Sequence, residues 1–249
     1  MPHPFEEEAI EDPMITFGEQ SALLEQARAK PLEKDSMAFE THDRTCTCID
    51  EGTPGGYRDA GLGILDPEGF DAVVARLRKT GVTSVESHAH CGAVTKAARE
   101  KLGPDATEAE IEAFGIEWAE RIAKALGVPH VHRTELERPA ETHDAHLIYV
   151  DLVGGARPDH VSEKLPKGFV VTATEATGEY VAQQVWVAAD IALGEHGAYN
   201  AQYSADKPLR VVLLAPEGMT PERHALIEEL HRALQDLGPR VYIDELEVR

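Results

Sequence analysis

Apolar positions along this chain fall at two spacings, and the alternation between them names most of its elements. A helix is predicted from about Glu19 to Ala29, between Gly18 and Pro31. Arg44 to Asp50 sets β-branched Thr45, Thr47 and Ile49 at every second position and reads as a strand. Glu51 to Gly63 holds five glycines and a proline, so it reads as a loop. Asp66-Pro67 is expected to open a helix as N-cap and first position, with Phe70, Val73, Val74 and Leu77 on its apolar face and Gly81 as its stop. Val82 to Glu86 reads as a short buried strand, and Ala93 to Leu102 as a helix. Thr107 and Glu110 form a capping box for a helix reaching Leu126.

Beyond a polar, histidine-containing stretch the pattern resumes. Strands are predicted at His146 to Val153, Phe169 to Thr174, Leu209 to Ala215 and Val241 to Val248. Helices are predicted from Glu179 to Leu193 and from Pro221 to Leu237. Tyr180, Val181, Val185, Ala188 and Ala192 share one helical face, which reads as core or as a subunit contact. Strands alternating with helices imply an α/β fold, a mainly parallel sheet flanked by helices. Three regions follow: an N-terminal helical arm over 1–35, suited to packing on a neighbouring subunit, a core over 36–154, and an additional α/β segment over 155–249. The last two either share a sheet or divide near Gly154-Gly155.

Composition narrows the partners. Lys and Arg number 24 against 45 Asp and Glu, a formal charge of −21. Binding to nucleic acid or to an anionic membrane surface needs clustered cations, and the sequence has no such run. The first residues carry no basic, apolar leader, and apolar runs such as Val211 to Ala215 are far too short to span a membrane. A cytoplasmic location is therefore expected. In that setting three cysteines, Cys46, Cys48 and Cys91, suit metal binding or catalysis better than disulfides.

Parallel sheets place ligands at the carboxyl ends of their strands, where Asp50 and His88 fall. Cys48, His88 and Cys91 are two thiolates and an imidazole at strand ends or helix starts. A Cys2His set with an open fourth position is a known catalytic zinc arrangement. Asp50, on the same face of an extended strand as Cys48, is in position to take the fourth place or to hold a water there. Cys46 is expected to be a buried core thiol. His130 and His132 share a face if extended, as His143 and His146 do if helical; hydrogen-bonded or solvated side chains are the simpler reading of all four. His224 and His231 are expected at the surface. Gly55-Gly56 lacks the Gly-Lys that a phosphate-binding loop requires.

These residues resemble the β-class carbonic anhydrases. That family carries Cys-x-Asp-x-Arg after one strand and His-x-x-Cys after another, matched here by Cys48-Ile49-Asp50-Glu51-Gly52 and His88-Ala89-His90-Cys91. Gly92-Ala93-Val94 continues the second motif, and Tyr57-Arg58-Asp59-Ala60-Gly61 looks like the family's Arg-Asn-Ala-Gly segment. The likeness covers residues 40 to 100 and extends weakly to His146 to Gly154, which is similar to the family's last core strand. Gly52 stands where the family has an arginine, so its aspartate–arginine dyad is broken at the usual place. The residues after Gly154 match nothing in that family.

The resemblance implies a zinc-dependent lyase that hydrates carbon dioxide to bicarbonate by a zinc-bound hydroxide. Cys48, His88 and Cys91 would be the metal ligands. Asp50 would orient the nucleophile, Arg58 would supply the missing guanidinium, His90 would shuttle protons, and the Gly92 N–H would bind the product anion. A homodimer or higher homo-oligomer acting on a small molecule is implied as well. Carbonyl sulfide and carbon disulfide are alternative substrates for the same site. A non-catalytic zinc protein, with Asp50 closing the metal shell, is the rival from another class.

Overall fold

A computed structural model describes residues 17–30, 32–34, 39, 42–50, 53, 56–136, 147–158, 165, 168–174, 176–193, 203–218 and 220–249. Among them run α1 (Phe17–Ala29), β1 (Thr45–Thr47), β2 (Tyr57–Arg58), α2 (Phe70–Thr80), β3 (Ser84–His88), α3 (Gly92–Leu102), α4 (Glu108–Leu126) and β4 (His130–Arg133). The second half supplies β5 (Leu147–Asp151), β6 (Phe169–Thr172), α5 (Gly178–Leu193), β7 (Leu209–Pro216), α6 (Pro221–Ala233) and β8 (Val241–Val248). Short 3-10 segments lie at Ala60–Gly63 and Gln235–Arg240.

The fold is α/β, with two four-stranded parallel sheets flanked by helices: β2-β1-β3-β4 and β6-β5-β7-β8. The predicted strand at His146 to Val153 therefore sits in the second sheet rather than with the core assigned to 36–154. Its residues Leu147 to Val150 are buried on both faces, which suits the centre of a helix-covered sheet. The two sheets meet along β2 and β6. Val170 N–H donates to the Ile49 carbonyl at 3.1 Å, and Arg58 N–H donates to Thr172 Oγ1 at 2.9 Å.

Helix α5 ties the halves together. Of the apolar positions named from its sequence, Val181, Val185, Ala188 and Ala192 line one core cluster with Ile49, Ala60 and Ala93 from the first sheet's side and Val150, Val171 and Val211 from the second, while Tyr180 is buried against Asp59, to which its hydroxyl donates. Gln184 accepts from the Ala60 N–H at 2.8 Å, and Gln183 donates to the Leu65 carbonyl at 2.7 Å. The face is intramolecular core.

Two further expectations change. The N-terminal arm packs on its own chain: Leu24, Ala27 and Leu32 are buried with Tyr149, Val212 and Leu246, and Leu32 bridges to Val248. Helix α2 begins after Gly69, whose φ of 82° an L side chain rarely adopts, not at Asp66-Pro67. The Asp66 carboxylate is held instead by the Glu68 N–H at 2.8 Å and by Arg76 Nη2 at 2.9 Å. The stop at Gly81, the capping box at Thr107 and the Pro221 start of α6 match the expected signals, though α6 gives way to the 3-10 segment before Leu237. No helix among the described residues is long and apolar enough to cross a membrane.

Candidate metal centre

The chain direction of β1 and β3 decides the centre. Both strands run parallel, so Cys48 leaves one carboxyl end as His88 ends the other, and the turn after His88 brings Cys91 back as the residue capping α3. The ligating atoms of Cys48, His88 and Cys91 lie within 4.8 Å of one another, and all three residues are buried. Among the described residues this is the one such cluster of three or more His, Cys, Asp or Glu.

The sulfurs of Cys48 and Cys91 are 3.6 Å apart. Two thiolates bound tetrahedrally at zinc distances stand about 3.8 Å apart, so the pair needs almost no movement to share an ion. His88 Nδ1 lies 2.8 Å from the Ala89 carbonyl, which fixes the proton on that nitrogen. Nε2 is left buried without a hydrogen-bond partner, at the place where a metal ion would bind it once its proton is displaced. Gly61 donates its N–H to the Cys48 sulfur at 3.3 Å.

The electrostatics fit the same chemistry. The hydrogen bond with Cys91 holds the Cys48 thiol well below its ordinary range against the effect of burial, with His88 adding to the pull. Cys91 is pushed well above by the same bond and by its burial. At His88 burial opposes the charged ring, but the Cys48 sulfur outweighs it and raises the imidazole to about 9. The three groups thus share protons that a cation would displace.

The trio opens on a pocket of about 200 Å³ whose wall includes Ser87, His90, Val94, Ile111 and Glu112. The described residues with positive φ other than glycine are Leu62, at 59°, and His90, at 56°, and both line this pocket. Such strain at two bulky residues needs over-determination by the surroundings and concentrates at functional sites. The Trp118 indole helps hold Leu62, donating to its carbonyl at 3.0 Å.

The other predicted residues divide. His90 is exposed and on the pocket wall. Asp50 is half-buried; its charge bears on all three ligands, yet it belongs neither to the ligating group nor to the pocket lining. Arg58 lies buried on β2, where burial lowers its guanidinium to about 10 while Asp151 and then Asp50 support the charge. Gly92 opens α3 but does not line the pocket; a Cβ there would come within 3.2 Å of Ile191, so its smallness lets α3 approach α5. The glycines on the pocket wall are Gly61 and Gly115. Gly52, His143 and His146 fall outside the described residues.

Cys46 is fully buried in a separate cluster with Val73 and Leu77, as its reading as a core thiol requires. His130 and His132 do share a face, both bonded to Ser87. The strand they form, β4, was hidden by its polarity, although half-buried positions alternate along it with exposed ones. Sequence reasoning also passed over Ser87 and Glu112, which become notable only through the β3–β4 register and the approach of α4.

Comparison of the chain with protein-family models, with curated proteins and with solved structures finds no match.

Proposed function

We propose that this protein is a zinc-dependent lyase that hydrates carbon dioxide to bicarbonate, in the manner of the β-class carbonic anhydrases that its motifs resemble. The observation that carries the reading is the convergence of Cys48, His88 and Cys91 on a pocket, with their ligating atoms together and their fourth side left to the cavity. Zinc held there supplies Lewis acidity that brings the pKa of a water from about 15.7 to about 7. The chain's own residues do the rest. Val94, Ile111 and Ile116 give the pocket apolar wall suited to a small linear substrate. Gly61 fixes the Cys48 sulfur through its N–H. Arg58, whose charge is supported by Asp151 and then by Asp50, would take over from the arginine that Gly52 replaces and hold the Asp50 carboxylate from the metal.

The test is stopped-flow hydration of carbon dioxide by the zinc-loaded chain beside its Cys48→Ser and Asp50→Asn variants. Zinc-dependent hydration abolished by the first and strongly reduced by the second is expected. No zinc-dependent hydration at any pH from neutral to alkaline overturns the reading. Carbonyl sulfide and carbon disulfide belong in the same assay, being linear molecules of the same class.

One observation favours a second reading, a closed and non-catalytic zinc site: the Asp50 charge already bears on all three ligands. A zinc–oxygen distance near ~2.0 Å that disappears in Asp50→Asn, measured by X-ray absorption, would decide for it.

A further inference from the structure

Beside the metal centre, one string of hydrogen bonds crosses three elements. Ser87, on β3, stands opposite His132 on β4 in the parallel register. Ser87 Oγ lies 2.9 Å from His132 Nδ1 and 2.8 Å from His130 Nε2, and His132 Nε2 lies 3.0 Å from Glu112 Oε1 on α4.

For a neutral His132 ring the donors follow from valence. A carboxylate only accepts, so His132 carries its proton on Nε2 and presents a bare Nδ1. Ser87 must then donate its single hydroxyl proton to that Nδ1, and His130 Nε2–H must donate to Ser87 Oγ. Burial lowers the His130 pKa, in keeping with a neutral ring in that role. The serine oxygen keeps a lone pair for a donor in the pocket, whose wall it forms together with Glu112. Ser87 is buried on the pocket wall, whereas Glu112 on the same wall is 41% exposed, so the string runs from the buried side of the pocket toward solvent.

We propose that Ser87, His132 and Glu112 form a proton relay leading out of the metal-binding pocket. The assignment rests on the hydration reading above, since that reaction yields one proton for each bicarbonate from carbon dioxide and water. A proton donated to Ser87 Oγ is matched by transfer of the Ser87 hydroxyl proton to His132 Nδ1, so the serine is never ionised. The imidazolium formed faces the Glu112 carboxylate. Loss of a proton from it to buffer, and return of the ring to its Nε2–H tautomer, complete the cycle. The groups around His132 are Ser87 from β3, His130 on its own strand, and from α4 Glu112, with Glu120 acting on His130; Arg99 of α3 and Glu108 share the pocket wall. Glu86 and Arg133, the next residues along the two strands, pair with each other. His132 and Glu112 act through Ser87 and are positioning residues for the proton.

Two measurements on the full, zinc-loaded chain test this. Nitrogen-15 spectra of the imidazoles should show His132 as the Nε2–H tautomer, with its Nδ1 resonance displaced in Ser87→Ala and its Nε2 resonance displaced in Glu112→Gln. Hydration turnover in weak buffer should fall about 100-fold in His132→Asn with KM unchanged, and should return in concentrated imidazole buffer. A His132 ring protonated on Nδ1, or spectra indifferent to Ser87→Ala, overturns the relay. So does a turnover defect that imidazole does not rescue, or no defect at all. Absence of hydration by the unaltered zinc-loaded chain removes the functional reading and the relay together, whereas active but buffer-insensitive variants remove the relay alone.

Discussion

Cys48 and Cys91 lie forty-three positions apart in the chain and 3.6 Å apart at sulfur. With His88 beside them, the expected outcome of purification in the presence of zinc is one ion per chain. Cys48→Ser and His88→Ala should each bring this below about one tenth, measured by elemental analysis. Cys46→Ser is the control. Its thiol lies in a different cluster, and its loss should leave the metal content unchanged.

Metal affinity should weaken steeply in acid. His88 is raised to about 9 and Cys91 well above the ordinary thiol range, so at neutral pH each holds a proton that the ion must displace. Binding should release about two protons, and affinity should fall about 100-fold for each pH unit lowered through neutrality. Competition with a chromophoric chelator across that range reads the slope directly.

Arg76 should prove the most sensitive charged residue of the first half. Its guanidinium bonds Asp66 at 2.9 Å, lies 3.6 Å from Asp59 and stacks 3.5 Å from the Tyr180 ring centre. Both carboxylates are fully buried. Arg76→Leu leaves two buried acids without a counter-charge and should cost about 3–5 kcal/mol in denaturant unfolding.

Asp59 gives a stability signature of unusual sign. Burial raises its carboxyl from 3.8 to about 6, despite Arg76 and the hydrogen bond donated by Tyr180 at 2.6 Å. Because the folded pKa lies above the unfolded one, the ionised side chain opposes folding above about pH 6. That cost fades between about 6 and 3.8 and is gone below. Asp59→Asn abolishes this titration. Its stability relative to the unaltered chain should therefore worsen by about 3 kcal/mol between about pH 7.5 and pH 3.5. Paired urea titrations at the two pH values measure the difference.

Gly115 sets how closely α4 approaches α3 over the pocket. A Cβ there would stand 2.7 Å from Val94 Cγ1, a stiff side chain on the same pocket wall. Gly115→Ala should destabilise by about 1–3 kcal/mol through overpacking and should disturb the pocket. The thermal midpoint, with metal affinity measured alongside, separates the two effects.

Much of this architecture was legible before any coordinates. Among the described residues, periodicity placed all six helices and six of the eight strands, because buried strands and amphipathic helices leave runs whose spacing survives in one dimension. Cys48, His88 and Cys91 could be grouped from residue type and strand-end position alone. The two strands missed, Tyr57–Arg58 and His130–Arg133, are short and polar, and nothing local distinguishes them from loop. What the sequence determined by itself was the local: element types, caps and the chemical identity of the donors. The tertiary structure alone decided which strands share a sheet, which glycines face the pocket, and that Ser87 meets His132 and Glu112. Those outcomes depend on strand register and helix approach, which arise from the simultaneous burial of many distant side chains and are written in no single stretch of the chain.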